Sequence, residues 1–355
     1  MGIEEFFDKI ISVKMTEDKE LNIIDQTLLP GEIKRINLNT KEEIWEAIKK
    51  LRVRGAPAIG VCAAYGIAKT ASQIEADNYA DFEKEFLELK EYFASSRPTA
   101  VNLFWALNRM EDALKANKEK SIDEIKEALF KEAEDIRNED VEISRGIGAL
   151  GFKLLKKLKR SGKEIGIMTH CNAGTLATAK YGTATAPMYM ALENGFSGDD
   201  MHVYCDETRP LLQGARLTAF ELSNAGIKTT LQCDNMASIL MKSGCDRVAR
   251  NGDAANKIGT SGLAIIAKHY GIPFYVCAPT STIDMKAESE KDIPIEIRDG
   301  EEITDMWYKE RMAPENIGVY NPAFDVTDHS LITGIITEKG ICKYPFDKAF
   351  KELGL

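Results

Sequence analysis

The chain has 355 residues, enough for one large or two ordinary domains. With 44% hydrophobic and 29% charged residues it can fill a core and still present a polar surface. A net charge of -10 excludes a general nucleic-acid or membrane-binding surface, while leaving room for a local basic pocket.

The seven cysteines are odd in number and form no C-x-x-C pair, which suits a reducing compartment. The opening MGIEEFFDKI lacks the basic and apolar regions of a signal peptide, and Phe6 stands where a myristoylation signal needs Ser or Thr. No apolar run is long enough to span a bilayer. The expected location is the cytoplasm.

In chain order, residues 20–38 read as short strands around the Pro30-Gly31 turn. Thr40 and Glu43 form a capping-box signature ahead of the amphipathic run IWEAIKKL. In VRGAPAIGVCAAYGIAKTA, Gly55 frees the turn and Pro57 suits the first turn of a tightly packed Gly/Ala helix. Arg54, just before that helix, is either an anion ligand or an ordinary ion-pair partner. Residues 78–118 carry two helical patterns split at Ser96-Arg97-Pro98, with Pro98 able to start the second. Arg97 there opposes the helix dipole unless an anion or acid lies close by. Ser121 and Glu124 form another capping box, and helical periodicity runs on to about Lys159 with one or two breaks.

From Glu164 the texture changes. Short apolar runs, EIGIMT, MHVYC, IKTTLQC and PFYVC, alternate with helical segments, the pattern of a parallel sheet wound with helices. The expected architecture is a Rossmann-like α/β domain over 141–355, preceded by a smaller, mainly helical domain with a few short strands over 1–140. The runs end at Thr169-His170-Cys171-Asn172, Cys205-Asp206-Glu207-Thr208-Arg209, Cys233-Asp234-Asn235 and Cys277-Ala278-Pro279. Ligands of open parallel sheets bind outside the carboxyl ends of the strands, so these clusters converge on one edge. Neither G-x-G-x-x-G after a strand nor a P-loop is present, which argues against a dinucleotide or a nucleoside triphosphate. One irregularity interrupts the rhythm. The helix NMASILMKS leads directly to GCDR, where an apolar strand is due.

The stretch GCDRVARNGDAANKIGT, 244–260, is a polar, glycine-rich loop feeding a helix expected from Lys257 to Tyr270, and it suits an anionic small molecule. The four histidines are scattered and no zinc-type spacing occurs, so no catalytic metal is expected. Cys171, at a strand end, is either a thiol facing the crevice or a buried core thiol. Asp246 is either a proton donor in a dry pocket or a salt-bridge partner of Arg247 or Arg250. Asp206, Glu207 and Arg209 read as a structural ion-pair turn.

RGAPAIG (54–60), RPTAVNLFWAL (97–107), THCNAGTLATAKYGT (169–183), DETRPLLQGARLTAFEL (206–222), GCDRVARNGDAANKIGT (244–260) and YNPAFDVT (320–327), in order over nearly the whole chain, resemble the methylthioribose-1-phosphate isomerases. Their superfamily also holds 5-deoxyribose-1-phosphate isomerases and regulatory subunits of the exchange factor for translation initiation. The resemblance implies a Rossmann-like enzyme of methionine salvage that converts 5-methylthioribose 1-phosphate to 5-methylthioribulose 1-phosphate. Asp246 would be the proton donor and Cys171 the second catalytic residue. Arg54, Gly55, Ala56, Arg97, Gln213, Asn256 and Lys257 would bind the pentose 1-phosphate. Hydrogen would move from C2 to C1 through an enediol, with Cys171 as shuttle, or by direct hydride shift. No cofactor is implied, nor a nucleic-acid or membrane partner; a homodimer is. In the family an apolar strand precedes the catalytic acid, and in this sequence that strand is missing before Asp246. The alternatives are an isomerase of 5-deoxyribose 1-phosphate, with Met306-Trp307-Tyr308 a candidate lining for the C5 group, and a non-catalytic regulatory subunit.

Overall fold

The computed structural model describes residues 2–160, 162–242, 248–249, 255–283, 295–314 and 317–354. The chain divides into two units. One is Gly2–Ser144 with Ala173–Gly182; the other is Arg145–Asn172 with Thr183–Leu355.

The first unit opens with α1 (Ile3–Ile10) and a three-stranded antiparallel sheet, β1 (Val13–Met15), β2 (Leu21–Ile24) and β3 (Arg35–Leu38), in that order. α2 (Lys41–Lys49) begins at the capping box read from the sequence: Thr40 accepts from the Glu43 amide, and Glu43 accepts from the Thr40 amide. α3 (Ala56–Ala71) carries Pro57 in its first turn and is buried from Ala58 to Ala68, since small side chains let its neighbours approach on every side. α4 (Tyr79–Ala94) buries Phe82, Phe86 and Phe93 in the same core. α5 (Val101–Ala116) starts three residues beyond Pro98, so Pro98 belongs to a turn and not to the helix it was expected to open. α6 (Ile122–Leu158) runs for 37 residues without the expected breaks, and the division between units falls within it. It contains no proline, and the cost of Gly146, Gly148 and Gly151, about 1 kcal/mol each in a helix interior, is outweighed by close packing against Glu338, Met190 and Pro187.

A composition-based boundary near residue 140 gives no sign that Ala173–Gly182 packs with the first unit. Side chains hold it there. Ser12 Oγ donates to the Thr178 carbonyl at 3.0 Å and Gln26 Nε2 to that of Leu176 at 2.8 Å. The Asp140 carboxylate accepts the Ala179 amide at 2.6 Å, and Ala179 joins the core.

The second unit continues with β4 (Ile165–Thr169), α7 (Ala186–Glu193), β5 (Met201–Asp206), a π-helical turn (Gly214–Thr218) leading into α8 (Ala219–Asn224), β6 (Lys228–Gln232) and α9 (Ala237–Lys242). Next come β7 (Val248–Ala249), β8 (Ala255–Lys257), α10 (Thr260–His269), β9 (Phe274–Cys277) and α11 (Glu301–Thr304). β10 (Phe324–Val326), β11 (Gly334–Ile336), β12 (Ile341–Cys342) and α12 (Phe346–Glu352) complete it. The sheet order is β12-β11-β9-β7-β4-β5-β6, parallel from β11 to β6 with β12 antiparallel at one edge. The four runs predicted as strands are β4, β5, β6 and β9, so the Rossmann-like α/β class read from the sequence is the class observed.

The slot between β4 and β9, where the sequence lacks a strand, is taken by the two residues of β7. These lie after GCDR, not before it. Unpaired backbone groups on both neighbouring strands favour whatever extended residues can reach them. The helix expected from Lys257 starts only at Thr260: Ala255–Lys257 pairs antiparallel with β10, and Gly259 (φ 104°) turns the chain into α10. Among the described residues no helix is long and apolar enough to cross a membrane.

Candidate active site

Cys171 lies two residues beyond the end of β4 and adopts φ 69°, a left-handed conformation that costs a side-chain-bearing residue about 1–2 kcal/mol. Two hydroxyls hold it there. Its amide donates to Thr208 Oγ1 at 2.7 Å, and its carbonyl accepts from Thr218 Oγ1 at 2.6 Å. The half-buried thiol receives Gln213 Nε2 at 3.4 Å. Gln213 is 1% exposed and stands just ahead of the π-helical turn that carries Thr218, so a single irregular turn aims both groups at Cys171. Such turns often mark functional sites. Cys205, by contrast, is enclosed within β5, and burial pushes its thiol far above the usual range.

Thr208 is itself fixed. The Asp234 carboxylate, at the end of β6, accepts the amides of Thr208 and Arg209, each at 2.7 Å. The ion-pair turn expected of Asp206, Glu207 and Arg209 does not form among the described residues. Asp206 ends β5 pointing into the protein, 1% exposed, and its carboxylate meets His170 Nδ1 at 3.0 Å and Gln232 Nε2 at 2.7 Å. Arg209, beyond the left-handed Thr208 (φ 63°), points elsewhere and donates to the carbonyls of Ile303 and Pro210. His170, Asp206 and Asp234 offer ligand atoms within 4.8 Å of one another, a spacing a metal ion could use. Those atoms already serve protein groups: Asp234 holds two backbone amides, and Asp206 holds a ring nitrogen and an amide nitrogen. The cluster ties three strand ends together.

Of the sugar-phosphate ligands expected in the second unit, Gln213 and Lys257 are buried and Asn256 is half-buried. Lys257 is 7% exposed and in register with Phe324; Asn256 is in register with Asp325. Asn256 Nδ2 and Gln213 Oε1 are buried without a hydrogen-bond partner among the described residues, an orphaned donor and an orphaned acceptor. Buried polar atoms are normally paired, so each keeps hydrogen-bonding capacity that the described residues do not use. Asp325, in β10, accepts the amides of Gly259 and Ser261 just after β8. Met306-Trp307-Tyr308 packs on the turn that carries Gln213: Trp307 Nε1 donates to the Pro210 carbonyl at 2.6 Å, and Arg216 lies 4.7 Å from the Trp307 ring centroid.

In the first unit Gly55 is the N-cap of α3 at φ 95°, and a Cβ there would come within 2.5 Å of Ala177. Only glycine allows that approach. Arg54 and Arg97 are half-buried, and Ala56 is exposed at the first position of α3. Asp246, with Gly244, Cys245, Arg247 and Arg250, lies outside the described residues. His170, Thr208, Thr218 and Asp234 escaped the sequence reading as site residues, although three of them stand in the strand-end clusters that reading singled out.

Polar side chains gather at the carboxyl ends of a parallel sheet around a backbone-clamped thiol, and the chain belongs to the initiation factor 2 subunit family, whose model matches residues 52–344. It is 58% identical over 341 residues to the methylthioribose-1-phosphate isomerase of Symbiobacterium thermophilum, covering 94% of this chain and 92% of that one. It is 55% identical over 353 residues to the 5-deoxyribose 1-phosphate isomerase of Petrotoga mobilis, covering 97% and 99%. The crystal structure of 5-methylthioribose 1-phosphate isomerase from Pyrococcus horikoshii superposes with a TM-score of 0.88 at 42% identity, covering 100% of this chain and 99% of that one.

Proposed function

We propose that this chain is an aldose–ketose isomerase that converts 5-methylthioribose 1-phosphate to 5-methylthioribulose 1-phosphate in methionine salvage. The observation that carries the reading is the 58% identity along 94% of the chain to an enzyme of that name, with Cys171 clamped at the strand end.

The substrate is an acetal phosphate, so its ring does not open as a free sugar's does, and an acid must protonate the ring oxygen. Asp246 is the proposed acid. Cys171 is the proposed second catalytic residue, moving the C2 proton through an enediol or attending a direct hydride shift. Gln213, with its amide nitrogen on the thiol and its oxygen unsatisfied, is suited to hold a substrate hydroxyl beside that sulfur. Asn256 and Lys257 in the second unit, and Arg54, Gly55, Ala56 and Arg97 in the first, are the other proposed ligands of the sugar phosphate. Proton NMR of 5-methylthioribose 1-phosphate with the purified chain should show the ketose appearing; an unchanged substrate spectrum overturns the reading.

The Petrotoga relative favours a second substrate, 5-deoxyribose 1-phosphate. A higher kcat/KM for that sugar would move the assignment. The resemblance supports a homodimer, which sedimentation of the intact chain would register as twice the 39.4 kDa chain mass, and seven scattered cysteines without a C-x-x-C pair suit a reducing cytoplasm.

A further inference from the structure

Cys171, His170 and Asp206 have the composition of a nucleophile–base–acid triad, but not its geometry. In such a triad one ring nitrogen faces the nucleophile and the other faces the acid. Here Nδ1 of His170 meets Asp206 Oδ2 at 3.0 Å, while Nε2 meets the Ile258 carbonyl at 3.0 Å. A carbonyl only accepts, so Nε2 carries a proton directed at the backbone and is not available to the thiol. The ring is 2% exposed and lies against Gly259, where a Cβ would come within 2.8 Å of it. Asp206 in turn is oriented by Gln232.

We propose that His170 is a positioning residue that locks the Cys171 backbone to the turn after Asn256 and Lys257. Three segments meet on one imidazole: the end of β4 that carries the thiol, the end of β5, and the Ile258-Gly259 turn that follows β8. Through the ring, the distance between the thiol and the Asn256-Lys257 pair is set by two hydrogen bonds and one close packing contact. This inference deepens the isomerase reading and rests on it for its kinetic consequence, but not for its structural one.

The two ends of the ring can be tested separately. Asparagine at 170 places a donor near Nδ1 and keeps the Asp206 bond while losing Ile258. Asp206→Asn keeps every bond: its amide donates to Nδ1 of a neutral ring, Nε2–H still reaches Ile258, and its oxygen still accepts from Gln232. His170→Asn is therefore expected to lower kcat/KM at least about tenfold, chiefly through KM. Asp206→Asn should fall far less, because geometry is retained and only charge is lost. In a true triad both substitutions would be severe, since loss of the acid misorients the base, so a small effect of Asp206→Asn separates the two arrangements.

Hydrogen exchange on the intact proteins gives a readout independent of turnover. In His170→Asn, peptides covering 169–173 and 256–260 should lose protection together, with the rest of the chain unchanged; in Asp206→Asn neither should. If the parent fails to isomerise either pentose phosphate, the functional reading falls and exchange alone decides the positioning role. Protection in His170→Asn equal to the parent's, or an Asp206→Asn loss as deep as that of His170→Asn, overturns the proposal.

Discussion

Replacing Gly214 with alanine tests how tightly the clamp around Cys171 is built. A Cβ at Gly214 would lie 1.8 Å from the Asp206 carbonyl oxygen and 2.7 Å from Thr208 Oγ1. The first is backbone at the end of a central strand, and the second is the hydroxyl that takes the Cys171 amide. To reach ordinary contact the π-helical turn must retreat by at least about 1.6 Å, which carries Gln213 and Thr218 away from Cys171. Overpacking of this kind costs about 1–3 kcal/mol, and a buried carbonyl or amide left unpaired adds about 1–3 kcal/mol more. A total of about 2–6 kcal/mol predicts a melting temperature lower by roughly 4–24 °C for a unit of this size. Loss of even about 2 kcal/mol at the thiol lowers kcat/KM roughly 30-fold. Gly262→Ala is the control: it lies in α10, exposed, with nothing within 4 Å of the new Cβ. That variant should gain about 0.5–1 kcal/mol from helix propensity. Thermal unfolding and steady-state kinetics of the two variants check the reasoning. Should Gly214→Ala melt with the parent and keep its kcat/KM, the clamp described above is wrong.

Asp140 supplies a pH prediction. Burial pushes its carboxyl up to about 6, against the opposing influence of the Ala179 amide and Arg137. Between about pH 4 and 6 the folded chain therefore holds a proton that the unfolded chain has released, and the contribution of this group to stability falls as pH rises through that window. Asp140→Asn keeps an acceptor for Ala179 and should be more stable than the parent at pH 8 by at most about 3 kcal/mol, the difference vanishing below pH 4; urea unfolding across pH reads it. Gly55→Ala, at φ 95° and against Ala177, should cost about 2–4 kcal/mol in unfolding experiments. Cys171→Ser should leave the fold intact and cut turnover roughly 100- to 10,000-fold, the range for loss of a proton-transfer group; a fully active serine variant removes the thiol from the mechanism. Asp246→Asn asks whether the acid is used although β7 follows it instead of preceding it: unchanged turnover would require another proton donor.

Periodicity and composition determined four of the sheet's seven strands. β4, β5 and β9 are nearly continuous apolar runs because a parallel strand covered by helices has no solvent face, and their ends are polar because the chain leaves the core there. Capping boxes at Thr40 and Ser121 were legible for the same local reason: the bonds they make span three residues. The site's strand ends were visible as clusters, and motif resemblance supplied roles for Cys171 and Gln213. What tertiary structure alone decided is which atoms those clusters face. Asp206 has Arg209 three residues away, yet binds His170, 36 residues distant, since the left-handed Thr208 turns the following chain aside and leaves the carboxylate inside. Likewise, Lys257 looks like the start of a helix until β10, nearly seventy residues later, offers Ala255–Lys257 an antiparallel partner. Local propensity is a matter of tenths of a kcal/mol per residue; a paired and buried backbone outweighs it, and the pairing partner is not encoded nearby.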